Sequence, residues 1–345
     1  MAALRNDGTR LLTRLVRGEK NGRLRLLFLF ARGYPMNAAP ASSPIDCAHV
    51  AATVPVAGSR YPVDLMYVEM VDGAYIPIGL RKPEGSGPFP LILFATGNGG
   101  GGMTMLRDHI DTKSWTQDQL LDAGYAVAWM RYRAEVDYAY DRIGKLIQSG
   151  RQERQLFNRG PLEYEDAIAV AEYARTLPAI DGGRLGYIGV SHGGEMALKI
   201  ASEYRGFKAF VASEPASHEF LRLRPDETAS IDPATGLLNV EKMLMRDAAK
   251  VRPRITEDVA RARIAPIDTP FFVQGRDSDE LQGIFRVSYD LLHEMGKDAI
   301  WKSYDHHLHG FIFPERAPGG DYKPDVVQVQ AFADTKAFFD KYLKA

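Results

Sequence analysis

The chain has 345 residues, 45% apolar and 25% charged, with a net charge of -1. That balance argues against nucleic acid or an anionic membrane as a partner held by bulk charge, and no apolar run approaches the roughly 20 residues of a membrane span. Cys47 is the only cysteine, which excludes an internal disulfide and a thiolate metal cluster.

The first 33 residues carry eight basic side chains against Asp7 and Glu19. A short apolar run, Leu26 to Ala31, follows, and then small residues from Asn37 to Pro44. This order reads as a degenerate export or organellar signal, a disordered tail or a mis-called start, so the compartment stays open between cytoplasm and export. Residues 1–45 are set apart from a domain spanning 46–345.

Val63 to Met70 and Tyr75 to Arg81 predict two strands joined around Asp72-Gly73, a hairpin turn pair. Leu91 to Ala95 predicts a central strand that ends in Thr96-Gly97-Asn98-Gly99-Gly100. A helix near Ser114 to Asp122 precedes a buried strand, Gly124 to Met130. The stretch 131–160 is polar and weakly periodic, with Tyr132, Tyr138 and Tyr140 as a pocket wall or as anchors of a solvated loop. A helix from Glu163 to Leu177 follows, its Glu163 and Asp166 suited to a helix N-terminus, and Asp181-Gly182-Gly183 predicts a turn.

The run Leu185 to Val190 has the length and side chains of a buried parallel strand. Gly189-Val190-Ser191-His192-Gly193 comes next, and then Met196, Ala197, Ile200, Ala201 and Tyr204 at helical spacing. Strand, Gly-x-Ser-x-Gly, helix is the pattern of a nucleophile elbow, in which a sharp turn exposes the serine hydroxyl. Phe207 to Ala212 predicts a further strand, ending near Glu214-Pro215, where Glu214 is either an acid or part of a turn. Residues 216–264 break the rhythm: they are charged, with helices over Val240 to Ala249 and Thr256 to Ala262, and read as a lid-like insertion. Strand Phe271 to Gln274, helix Glu280 to Met295, strand Ile300 to Tyr304 and helix Asp325 to Leu343 complete the chain. Strands alternating with helices predict an α/β fold, a mostly parallel sheet with helices on both faces.

A serine nucleophile needs a base, and a histidine base needs a carboxylate to fix its tautomer. Asp277 and Asp279 follow one later strand and His309 the next, so serine, acid and histidine occur in the order of an α/β-hydrolase, each beyond a strand's carboxyl end. The chain resembles that superfamily, in the branch of dienelactone hydrolases and prolyl-oligopeptidase-type catalytic domains. The matching pieces run in family order from Asp72-Gly73 through Pro88-Phe89-Pro90, Thr96 to Gly100, Gly124-Tyr125, Tyr132-Arg133, Asp181 to Arg184, Gly189 to Gly194 and Gly275-Arg276-Asp277 to His309-Gly310-Phe311. The resemblance implies the α/β-hydrolase fold, Ser191 as nucleophile, His309 as base and an aspartate after Gly275 as acid. The usual Gly-x-x-Asp spacing falls on Ser278. Asp277 is favoured, being nearer the strand end, with Asp279 the alternative.

By the same likeness, the glycine-rich loop supplies one oxyanion donor at Asn98, and the backbone of His192 supplies the other. Lysine at P-loop spacing is missing, which argues against a phosphate cradle. His306, His307 and His309 beside Asp305 lack the further ligands of a metal site, so neither metal nor cofactor is expected. The expected activity is a serine hydrolase acting on a small-molecule carboxylic ester. The alternatives are a prolyl-oligopeptidase-like peptidase taking a short peptide, and an inactive hydrolase-fold binding protein.

Overall fold

A computed structural model describes residues 50–70, 72–97, 106, 109–130, 132, 162–224, 245–316 and 320–344. The N-terminal segment 1–45, with its signal-like run, lies outside them, as do Tyr138, Tyr140 and residues 225–244 of the insertion.

The strands are β1 (Val50–Val54), β2 (Val63–Glu69), β3 (Tyr75–Arg81), β4 (Phe89–Ala95), β5 (Ala126–Met130), β6 (Ile180–Val190), β7 (Phe207–Ser213), β8 (Phe271–Arg276) and β9 (Ala299–Tyr304). They form one sheet in the order β1-β2-β3-β5-β4-β6-β7-β8-β9. Pairing is antiparallel from β1 to β5 through β2 and β3, and parallel from β5 to β9. The central strands are buried on both faces, which is why they read as unbroken apolar runs. Along β4, for example, Leu91, Leu93 and Ala95 enter one core while Ile92 and Phe94 enter the other.

The helices are α1 (Trp115–Asp122), α2 (Leu162–Arg175), α3 (His192–Glu203), α4 (Ala248–Val251), α5 (Glu257–Ile264), α6 (Gln282–Glu294) and α7 (Val326–Leu343). Leu120 of α1 and Ala331, Phe338 and Phe339 of α7 share a core with Ile92, Val127 and Val211. Ala167 of α2, Met196 and Ile200 of α3, and Ile284 and Leu291 of α6 fill the opposite core. Both sheet faces are therefore covered, as the alternation of strands and helices requires.

The sequence-based boundaries differ in three places. Strand β1 was not anticipated: its two ends are half-buried and its middle is exposed, so it carries no burial period to read. Asp181-Gly182-Gly183 lies inside β6 rather than in a turn before it. There Asp181 accepts the Gly183 N–H at 2.9 Å and pairs with Arg184, so a local side-chain bond replaces part of the ladder. In the insertion, residues 240–244 of the expected helix over Val240 to Ala249 lie outside the described residues; 245–247 are not helical, and a helix runs over Ala248–Val251. Asp247, whose carboxylate accepts the Ala249 N–H, caps it. Val251, Ala260 and Ile264 of this segment are buried in the same core as Ile284 and Leu291.

Candidate active site

The elbow after β6 is built by steric necessity. Ser191 has φ 55° and ψ -112°, a conformation that costs a non-glycine residue of order 1–3 kcal/mol. Its N–H donates to Ser213 O and its carbonyl accepts from Glu195 and Ala216, so neighbouring backbone holds the turn on both sides. A Cβ at Gly189 would sit 2.0 Å from Gly193 O, and one at Gly193 would sit 2.3 Å from Ala95 O. Only glycines allow strand and helix to approach this closely. Gly97, in the loop after β4, packs against the serine: a Cβ there would lie 3.2 Å from Ser191 Cβ.

His192, the next residue, opens α3, where the first N–H groups have no intrahelical acceptor and the helix dipole is positive. Its side chain turns inward, with Nε2 2.9 Å from Glu163 Oε2 and the ring edge-on to Tyr132. Tyr132 in turn donates to Thr96 O at 2.6 Å. Glu195 closes the far side of the pair: its Oε2 is 3.8 Å from His192 Nδ1, and its Oε1 accepts the N–H groups of Glu219 and Phe220. Burial pushes the Glu195 carboxyl up, but Lys199 and His192 outweigh it and hold it down at about 2. Asn98, the other expected oxyanion donor, lies outside the described residues.

His309 follows β9. Its Nδ1 donates to Asp279 Oδ2 at 2.8 Å. Of the two aspartates, the structure brings Asp279, the alternative, to His309, and not the favoured Asp277. Asp277 instead accepts from Ser303 Oγ at the end of β9. The cause is the turn after β8, where Asp279 N donates to Arg276 O and folds the chain back by the residues that separate the two aspartates. Asp279 Oδ1 accepts the Leu281 N–H, and Arg276 donates to Oδ2 from both Nε and Nη2. Burial raises the Asp279 pKa, but His309, the Leu281 N–H and Arg276 together bring it below the usual value.

Two residues at this corner were undervalued in the sequence. Arg276 ties β8 to the histidine loop by donating to the carbonyls of His306 and His307 at 3.1 Å. Its position three residues before Asp279 was the available signal. Glu214, after β7, stands at φ 50° with Oε1 3.4 Å from His309 Nδ1 and Oε2 accepting the Gly310 N–H at 2.6 Å. Burial lowers the His309 pKa, but Asp279 and Glu214 outweigh it and raise the imidazole to about 9. Ligand atoms of Glu214, Asp279 and His309 lie within 4.8 Å of one another, yet the Arg276 guanidinium already sits on both carboxylates and does the work a cation would do. His306 is held by Asp325 and stacks on Phe311 and His307, apart from this cluster.

Residues 112–224 match the prolyl oligopeptidase family. The chain is 27% identical over 291 residues to acyl-coenzyme A thioesterase 1 of Rattus norvegicus, covering 76% of this chain and 62% of the thioesterase. Among solved structures it is similar to the acylaminoacyl peptidase of Pyrococcus horikoshii, with a TM-score of 0.56 and 17% identity over 84% of this chain and 42% of that one. It is also similar to a Klebsiella pneumoniae protein designated a dienelactone hydrolase, with a TM-score of 0.53 and 16% identity over 81% of this chain and 98% of that one. The chain thus spans less than two thirds of the rat thioesterase and under half of the archaeal peptidase. Its fold is the α/β-hydrolase fold, and the resemblance to the dienelactone hydrolase and prolyl-oligopeptidase branch is real.

Proposed function

We propose that the chain is a serine hydrolase that transfers the acyl group of a carboxylic ester or thioester to Ser191 and then to water. The observation that carries this reading is the 2.8 Å bond from His309 Nδ1 to Asp279, in a chain whose elbow exposes Ser191 at φ 55°. With Nδ1–H committed to the carboxylate, Nε2 is the nitrogen free to accept a proton.

In this mechanism the Ser191 Oγ attacks the acyl carbon as His309 takes its proton. Asp279 fixes the imidazole tautomer and stabilises the cation that forms. The oxyanion is received by the backbone N–H of His192, at the positive end of α3, together with Asn98 of the glycine-rich loop. His309 returns the proton to the leaving alkoxide or thiolate, and a water activated by the same imidazole releases the acid. The buried Glu163–His192 pair ties the first residue of the elbow helix to α2. The thioester arm follows from the acyl-coenzyme A thioesterase name of the rat relative.

The test compares the protein with Ser191→Ala on p-nitrophenyl butyrate and on short acyl-coenzyme A, with free thiol as the second readout. Turnover that disappears in the variant supports the reading. Equal turnover by the two proteins removes Ser191 from its role. A peptidase is the second reading, favoured by the family match over 112–224. Strong cleavage of aminoacyl-p-nitroanilides without ester turnover puts it first.

A further inference from the structure

We propose that Glu214 is a second carboxylate acting on His309 beside Asp279, a positioning residue that shares the imidazolium charge during acyl transfer. The inference rests on the serine-hydrolase reading and deepens it. Glu214 and Asp279 reach the imidazole from different strands. Glu214 follows β7 and Asp279 follows β8, and Glu214 N donates to Gln274 O at 2.7 Å to join those strand ends.

The side-chain exposures are 0% for Glu214, 3% for Asp279, 11% for Arg276 and 38% for His309. A carboxylate buried this completely must be paired. One oxygen, Oε2, is satisfied by Gly310 N–H. The other, Oε1, has no hydrogen-bond partner, yet stands 3.4 Å from both His309 Nδ1 and Arg276 Nε. Glu214 thus keeps an acceptor beside the nitrogen that Asp279 already uses, about 0.2 Å beyond the usual bonding range.

Charge accounts for the arrangement. Two carboxylates and one guanidinium leave a net charge of -1 against the neutral imidazole. When the proton moves from Ser191 Oγ to His309, the imidazolium brings that corner to neutrality. The cluster is thus electrostatically matched to the imidazolium that proton transfer from Ser191 creates. The Gly310 N–H bond adds a geometric role, fixing the height of the histidine loop over β7. Phe285 of α6 lies 6.4 Å across the ring, and among the described residues the charged groups at this corner are Asp279, Glu214 and Arg276.

The experiment places Glu214→Gln in the wild type and in Asp279→Ala, with Ser191→Ala as the zero, and measures kcat, KM and the pH dependence of p-nitrophenyl ester turnover. Glutamine keeps an acceptor for Gly310 N–H and removes only the charge. The expected cost in kcat is about tenfold in the wild type and at least about 100-fold in Asp279→Ala, with KM little changed, since groups that work as a unit are non-additive. The acid limb of Glu214→Gln moves to lower pH. An equal factor in both backgrounds with an unmoved limb overturns the proposal. Asp279→Ala alone gives a measurement that needs no folded Glu214 variant. Its acid limb stays above the roughly 6.5 of an unassisted imidazole if Glu214 takes over Nδ1–H, and a limb at or below that value overturns the proposal. Full turnover in Ser191→Ala overturns the serine-hydrolase reading itself.

Discussion

Arg276 donates to the same oxygen of Asp279 that His309 uses: Oδ2 receives Nε at 3.0 Å and Nη2 at 2.8 Å. The carboxylate is thereby anchored beside the imidazole, and its buried charge is balanced from within the same turn. Arg276→Ala removes the guanidinium that the two buried carboxylates share, so a loss of about 3 kcal/mol of stability is expected. Urea unfolding measures it. A midpoint equal to that of the wild type would mean that the guanidinium is dispensable to the corner.

The two aspartates should separate cleanly. Asp277→Ala loses only a bond to Ser303 at the end of β9 and is expected to keep ester turnover within about threefold of wild type. Asp279→Ala removes the bond to the base and should lower kcat/KM by a factor on the order of 10²–10⁴. Steady-state kinetics on the pair decides the matter, and the reverse ranking would return the acid to Asp277.

His309 must be neutral to act as base, and its pKa is raised to about 9. Ester turnover is therefore expected to rise with pH and to reach half its maximum in kcat/KM near pH 9. Stability runs the other way. Because the folded pKa lies above the unfolded one, protonated His309 stabilises the fold fully below about pH 6.5, and that contribution is lost as pH rises through about 9. Activity and thermal stability should thus have displaced pH optima. A kcat/KM profile already flat from pH 6 upward would contradict this assignment of the base.

Gly193→Ala forces a Cβ to 2.3 Å from the Ala95 carbonyl oxygen, backbone against backbone. Relief requires moving β4 away from the elbow, with an overpacking cost of about 1–3 kcal/mol. The serine turn moves with it, and a loss of ester turnover greater than tenfold is expected. Melting and turnover measured together test the point, since unchanged values for both would show that the elbow has slack.

What was legible in the sequence was whatever depends on local pattern. The buried parallel strands announced themselves as apolar runs, and the elbow announced itself by glycines flanking a serine between a strand and a helix. The order of serine, acid and histidine followed from those runs. The acid did not, because Asp277 and Asp279 differ only by how the turn after β8 closes, and a backbone bond from Asp279 to Arg276 decides that. Glu163 was equally hidden. As a helix-start residue it looked ordinary, and its partner His192 is 29 residues away along the chain. Strand β1 escaped because a strand exposed through its middle has no two-residue burial period.

Gly97, Ser191, Glu214, Asp279 and His309 follow β4, β6, β7, β8 and β9, which are contiguous in the sheet, while β1, β2 and β3 form its antiparallel flank. Among the described residues, strand β1 pairs on one side only, and its middle is exposed. Amide protons there should exchange with deuterated solvent long before those of β6. Breathing at that margin can proceed without disturbing the serine turn, so the molecule can loosen at one border while its chemistry stays in register.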